Sequence, residues 1–215
     1  GMASIYQEKY PSTSVEIVEN GFEPSDSHKL DSSNIFPNDG KIRIVYTGLI
    51  YPEKRDPTPL FEAIKCISKG ANKQLLSRLE VLFCGPNTNV LDDLIKKLEV
   101  SSWVSNLGML PREDSLRMQR DASFLLFLEW NNPSANYMLT GKLFEYLQSQ
   151  TPIIGIGLRE ESEPSQLIKK ANAGKTFSTD STAIHAILLS ELQNKMTSSS
   201  NIEMDVLSQY TRENL

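Results

Sequence analysis

From residue 41 onward, short apolar runs alternate with stretches of helical period. Ile42–Thr47 ends at Gly48, Leu79–Cys84 at Gly85-Pro86, and Trp103–Leu107 at Gly108. Phe124–Leu128 and Ile153–Ile156 are apolar on both alternating faces. Runs of that kind suit central parallel strands covered by helices on each side. A shorter run, Gly174–Phe177, follows. Between the runs, Pro57–Ser68 places Leu60, Phe61, Ile64 and Ile67 on one helical face. Val90–Leu98, Arg112–Arg120, Glu161–Asn172 and Ala183–Lys195 also read as helices. Strand and helix alternate about six times, which predicts an α/β fold with a mostly parallel sheet.

The flanks are different. Val15–Val18 alternates like a short strand, and Asn20-Gly21 is a turn signal. Glu23–Gly40 is rich in Ser, Asp, Asn and Pro and reads as loop. At the other end, the polar tract Met196–Ser200 reads as a linker and Ile202–Asn214 as a final amphipathic helix. The expected organisation is therefore residues 1–40 as the end of a preceding domain plus linker, 41–195 as the α/β domain, and 196–215 as linker and closing helix. Gly1-Met2 reads as a cleavage scar before a start methionine, so the chain is expected to be a piece of a longer protein.

Ser123–Gly157 is the most informative stretch. It reads as strand, long polar loop, helix and strand, a βαβ unit whose two strands share one sheet. Thr140 stands where a helix N-cap would stand, and Leu143, Phe144 and Leu147 form the helix's apolar stripe. The loop Glu129–Leu139 is about twice the usual 2–6 residues. It leaves the carboxyl end of a central strand and feeds a helix N-terminus. Open α/β sheets bind ligands at that edge, and helix N-terminal amides suit phosphates.

Composition narrows the classes. The chain has 215 residues, 39% hydrophobic and 23% charged, with formal net charge −5. Mild acidity argues against general nucleic-acid or membrane-surface binding. No apolar run approaches the roughly 20 residues of a membrane helix, and no secretory leader is evident, so a cytoplasmic protein is expected. Both cysteines, Cys66 and Cys84, read as core thiols. With two histidines, His28 and His185, and no Cys-x-x-Cys, a structural zinc site is not expected.

Several residues could carry chemistry. Gly48, Gly85 and Gly108 follow three strands and would line one crevice, although tight βα turns account for each alone. Lys54 and Arg55 follow the first strand and could neutralise a pyrophosphate, or occupy a solvated loop. Glu145 shares a helix face with Lys142, three residues back. They form either a solvated ion pair worth a few tenths of a kcal/mol or a site in which Glu145 accepts hydrogen bonds from a ribose diol. Asp92 and Asp93 diverge by about 100° on a helix and read as first-turn acids, not metal ligands. There is no Gly-x-Gly-x-x-Gly dinucleotide pattern, no Walker loop and no Asp-x-Asp.

Six motifs in order resemble a known family. Val18-Glu-Asn20-Gly21-Phe22 is similar to an Asn-Gly motif that closes an N-terminal domain. Ile44–Lys54, Val81–Gly85 and Asn106–Pro111 resemble two strand-and-glycine segments and a loop facing a nucleotide base. Pro133–Pro152 resembles a Pro-Ser…Glu signature in its Gly-Lys-Leu-Phe-Glu-Tyr-Leu variant, and Tyr210–Asn214 a closing helix. Together they resemble the C-terminal donor-binding domain of GT-B glycosyltransferases, the large retaining group 1 type that includes sucrose synthase and many bacterial polysaccharide transferases. The match runs from about residue 15 to the end.

The resemblance implies a Rossmann-like, doubly wound parallel sheet of about six strands, the C-terminal half of a GT-B fold. It implies that a nucleotide diphosphate sugar is the donor substrate, with no cofactor and no metal. Glu145 would hold the ribose hydroxyls and Lys54 the donor phosphates. The amides near Leu139, Thr140 and Gly141 would cradle the pyrophosphate, and Met109 and Leu110 would face the base. Leu49 stands where the family has an arginine, a charge that Arg55 or Lys142 could replace, and Tyr137 stands where a sugar-contacting glutamate is usual. The acceptor would sit on an N-terminal domain of the same protein, which would also be the only route to membrane association. The isolated chain would be inactive, and no catalytic residue is assigned. Two other readings are a degenerate module that binds a nucleotide sugar or a protein without turnover, and a sugar-nucleotide 2-epimerase-like domain.

Overall fold

The computed structural model describes residues 2–16, 20–23, 30–51, 53–86, 89–132, 136–194 and 202–214. After a first helix, α1 (Met2–Lys9), strands and helices alternate as β1 (Ile42–Thr47), α2 (Thr58–Lys69), β2 (Leu79–Cys84), α3 (Asn89–Leu98), β3 (Val104–Gly108), α4 (Arg112–Asp121), β4 (Phe124–Leu128), α5 (Gly141–Gln148), β5 (Ile153–Ile156), α6 (Glu163–Lys170), β6 (Gly174–Phe177) and α7 (Ser181–Gln193). The six strands form one sheet in the order β3-β2-β1-β4-β5-β6, and every neighbouring pair is parallel. This is the doubly wound Rossmann-like order, with its topological switch between β1 and β4.

Alternate residues of each strand feed two apolar layers. Ile44, Tyr46, Leu126 and Leu128 pack with Leu60 and Phe61 of α2, Ile95 of α3 and Leu188 of α7. Val45, Leu125 and Phe127 point the other way, to Met118 of α4, Phe144 and Leu147 of α5 and Ile168 of α6. Every residue of β1, β4 and β5 is buried, as central strands covered on both faces require. The helix starts follow their caps. Thr140 Oγ1 accepts from the Leu143 amide at 3.4 Å, Ser162 Oγ from Ser165 at 3.4 Å, and Asp180 from Thr182 and Ala183 at 2.9 and 3.3 Å. Asp180 therefore starts α7 two residues before the apolar periodicity does.

Two expectations from the sequence need correction, and two elements are not expected from it at all. Helix α1 lacks an apolar stripe, with Ile5 and Tyr6 exposed, so periodicity gives it no signal. The closing segment is a 3-10 turn, Met204–Tyr210, and not an amphipathic α-helix. Its backbone is diverted: the Phe22 N–H donates to the Tyr210 carbonyl at 3.0 Å and the Arg212 N–H to the Phe22 carbonyl at 3.1 Å. Tyr210 then packs on Phe144, ring centres 5.2 Å apart. Cys66 lies on the outer face of α2 and is exposed; of the two thiols only Cys84 is buried, and burial pushes its pKa up to about 11. A 3-10 helix, Lys73–Arg78, also precedes β2. The expected strand Val15–Val18, the linker Met196–Ser200, His28 and the start of the Pro133 signature lie wholly or partly outside the described residues.

Candidate functional site

The candidate residues lie at the carboxyl ends of the strands. Gly48, Gly85 and Gly108 lie side by side at the carboxyl ends of β1, β2 and β3. The Gly48 N–H donates to the Cys84 carbonyl at 2.7 Å and the Gly85 N–H to the Gly108 carbonyl at 2.9 Å. Gly48 has φ +127°, a conformation L side chains rarely adopt, and a Cβ there would land on the Lys142 ammonium. A Cβ on Gly85 would strike the Gly48 carbonyl. The three glycines, read as neighbours from their places after strands, lie next to one another with their backbones paired.

Lys142 is on the first turn of α5, and its stem carries it inward across the end of β1. Its Nζ donates to the Thr47 carbonyl and lies 4.4 Å from the centre of the Tyr46 ring. Burial lowers its pKa to about 8, with the charge of Arg55 adding to the effect and Glu145 and Glu129 opposing it. The Tyr46 hydroxyl donates to the Leu49 carbonyl at 2.9 Å, and burial pushes its pKa up to about 12.

Of the two readings for Glu145 and Lys142, the surface ion pair does not form, because the two side chains leave the helix in different directions. Glu145 Oε1 accepts from Gln119 Nε2 at 2.7 Å, and Oε2 from Arg112 NH1 at 3.2 Å. Lys54 also has a specific neighbour: its Nζ stands 5.0 Å from the Trp130 ring centre, which draws the loop after β1 to the loop after β4. The Arg55 guanidinium lies 5.1 Å from the Tyr51 ring centre. Met109 is exposed at the tip of the loop after β3, and Leu110 beside it is half-buried. Tyr137 is exposed, Leu139 is buried, and the Leu139 carbonyl accepts from Asn20 Nδ2 at 2.7 Å. Gly141 opens into free space at the start of α5.

A groove of about 500 Å³ runs from this helix start between α4 and α5, lined among others by Phe22, Arg112, Gln119, Gly141, Glu145 and Arg212. Asp92 is spent on Asn106, whose Nδ2 donates to it at 3.0 Å. Among the described residues, no group of three or more His, Cys, Asp or Glu side chains converges to hold a metal ion. No helix among them is long and apolar enough to cross a membrane.

Sequence reasoning misses Arg112, Gln119 and Asn20. Gln119 stands in a run of charged residues on α4, so nothing in composition marks it as buried. Asn20 is legible as a turn signal and as part of the Asn-Gly motif, but not as the anchor of a loop 119 residues away.

The strand order defines the class: a Rossmann-like α/β domain of the kind found in GT-B glycosyltransferases. No protein-family model matches the chain, and no curated protein matches it in sequence. Among solved structures it is similar to Staphylococcus aureus TarM, here a G117R mutant in complex with Fondaparinux, alpha-GlcNAc-glycerol and UDP, with TM-score 0.66 and 11% identity over 98% of this chain and 40% of TarM. It is also similar to sucrose-phosphate synthase from Thermosynechococcus elongatus, TM-score 0.64 and 13% identity over 98% of this chain and 52% of that one. WaaG, a glycosyltransferase involved in lipopolysaccharide biosynthesis, gives TM-score 0.62 and 16% identity over 98% of this chain and 55% of WaaG. The chain thus spans about half the length of these proteins, and at such identity the likeness is one of fold.

Proposed function

We propose that this chain is the donor-binding domain of a glycosyltransferase that takes a nucleotide diphosphate sugar. The observation that carries the reading is that Lys142, on the Thr47 carbonyl, and Glu145, tied through Gln119 to the Thr47 hydroxyl, both reach the carboxyl end of β1 beside the amide end of α5. A carboxylate there can accept both hydroxyls of a ribose. Lys142, Lys54 and the amides of Thr140 and Gly141 can take the diphosphate, whose charge grows as the sugar leaves. Lys142 supplies the cation that Leu49 does not. In this reading Met109 and Leu110 face the base, and Gly48, Gly85 and Gly108 let the ligand approach the backbone. TarM, of the same fold, was solved with UDP.

The transfer is retaining and needs no metal, because fixed cations and amides stabilise the leaving diphosphate. The acceptor is held by a further N-terminal domain of the full-length protein, and residues 1–40 lead from it. The isolated chain binds donor without turning it over. Incubating full-length protein with nucleotide sugars and candidate acceptors, and following the anomeric proton by NMR, tests this. The expected product keeps the donor's anomeric configuration and forms equally with a chelator present. An inverted product, or activity lost to chelator and restored by manganese, would count against it. Leu49 and Tyr137 favour a second reading, a module that binds the nucleotide sugar without transfer; binding with no product from any acceptor or from water would select it.

A further inference from the structure

The buried amide of Gln119 is the feature that neither strand order nor the crevice explains. Gln119 is 0% exposed, although it sits on a helix whose other polar residues mostly reach water. Its Nε2 carries two hydrogens, and both are used: one on Glu145 Oε1 at 2.7 Å, the other on Thr47 Oγ1 at 3.1 Å. Its Oε1 is buried and has no partner among the described residues. Turning the amide over would set its oxygen against the carboxylate, so the orientation follows from the neighbours. An orphaned buried acceptor is destabilising, and an apolar side chain of the same length would avoid it. Core stability alone therefore does not account for this residue.

We infer that Gln119 is a positioning residue, which fixes the Glu145 carboxylate for a ribose diol and ties it to the Thr47–Gly48 turn. The inference rests on the proposed role of Glu145. Thr47 is held in turn by Tyr146, whose hydroxyl accepts from the Thr47 N–H at 2.9 Å, and the Thr47 carbonyl receives Lys142. One amide thus joins the group assigned to the ribose to the turn beside the group assigned to the phosphates. A carboxylate has about four acceptor positions. Gln119 and Arg112 take one on each oxygen, which leaves one on each for two vicinal hydroxyls. The Arg112 side chain is 69% exposed and can move aside, whereas Gln119 cannot.

The test compares uridine, guanosine and adenosine diphosphates with their 2′,3′-dideoxy forms by calorimetry, on wild type and Gln119→Met. Methionine keeps the length and removes both donors. The variant should lose about five- to tenfold in affinity for the ribose form and clearly less for the dideoxy form, which lacks the diol and feels only the tie to the Thr47–Gly48 turn. Equal ribose-form affinity in the two proteins, or equal weakening of both ligands, would overturn the inference. The Gln119 side-chain amide resonances of wild type need no variant: they should shift with the ribose form and not with the dideoxy form, and a response to neither, or the same response to both, is contrary. A wild type that does not distinguish the two ligands removes the ribose reading itself. One that does, and loses the distinction in Glu145→Ala but keeps it in Gln119→Met, removes only the role of Gln119.

Discussion

Replacing Glu145 by Ala is expected to lower nucleotide affinity at least tenfold, and by the same factor for a nucleoside and its diphosphate. In the proposed role the carboxylate accepts two charge-assisted hydrogen bonds from the ribose, each worth roughly 1.5–3 kcal/mol net. Loss of even the weaker one exceeds the ~1.4 kcal/mol that makes one decade. The ribose is common to both ligands, so the ratio of their affinities should not change. Substituting Lys54 or Lys142 should do the reverse, weakening the diphosphate and sparing the nucleoside. Calorimetry on the three variants reads the pattern directly. Glu145→Ala protein that binds both ligands like wild type would return Glu145 to a structural role as the partner of Gln119 and Arg112.

The second large effect concerns pH. Burial lowers the Lys142 pKa to about 8 in the free protein, and in the proposed site only its charged form attracts a diphosphate. The affinity ratio of diphosphate to nucleoside should therefore be flat from about pH 7, where the terminal phosphate is fully ionised, to about pH 8. Above that it should fall, by up to roughly tenfold per pH unit, until the pKa of the bound state is reached. Lys142→Met should bind the diphosphate weakly at every pH and show no such fall. Stability has its own sign. The folded pKa lies below the ordinary 10.5, so the unfolded chain holds more protons between about 8 and 10.5, and wild type gains stability across that window as pH rises. Below pH 8 the burial cost of the charge is present in full. Denaturation of wild type and Lys142→Met at each pH should show the difference between them moving in wild type's favour from pH 8 to 10.5. A constant difference would mean that the ammonium is not held in the crevice.

The fold was legible because its strands are buried on both faces. Five of the six, from Ile42–Thr47 to Gly174–Phe177, have the boundaries their apolar runs define; only β3 is shifted, starting one residue later, where Trp103 closes a turn, and taking in Gly108 at its end. Helix ends were less legible, since Ser162 and Asp180 set them through capping bonds and not through periodicity. The crevice glycines could be read from their place after strands. The partners of the site could not. Helical spacing puts Lys142 and Glu145 on one face, but the missing side chain of Gly48 lets Lys142 turn inward, and a residue from another helix, Gln119, takes the carboxylate instead. Contacts of that kind depend on tertiary placement, and no local period records them. The closing segment shows the same limit: its pattern is amphipathic, yet pairing with Phe22 overrides the helix.

The central claim is that a nucleoside diphosphate sits at the carboxyl end of the sheet between Gly48 and Glu145. Titrating uridine, guanosine and adenosine diphosphates in turn while recording backbone amide resonances tests it most directly. For at least one of them the amides of Gly48, Gly108, Leu110, Thr140 and Gly141 should shift together and saturate at one ligand per chain, while those around Arg43 and Asp39 at the opposite end of β1 stay in place. Shifts confined to that opposite end, or none with any of the three diphosphates, would contradict the claim.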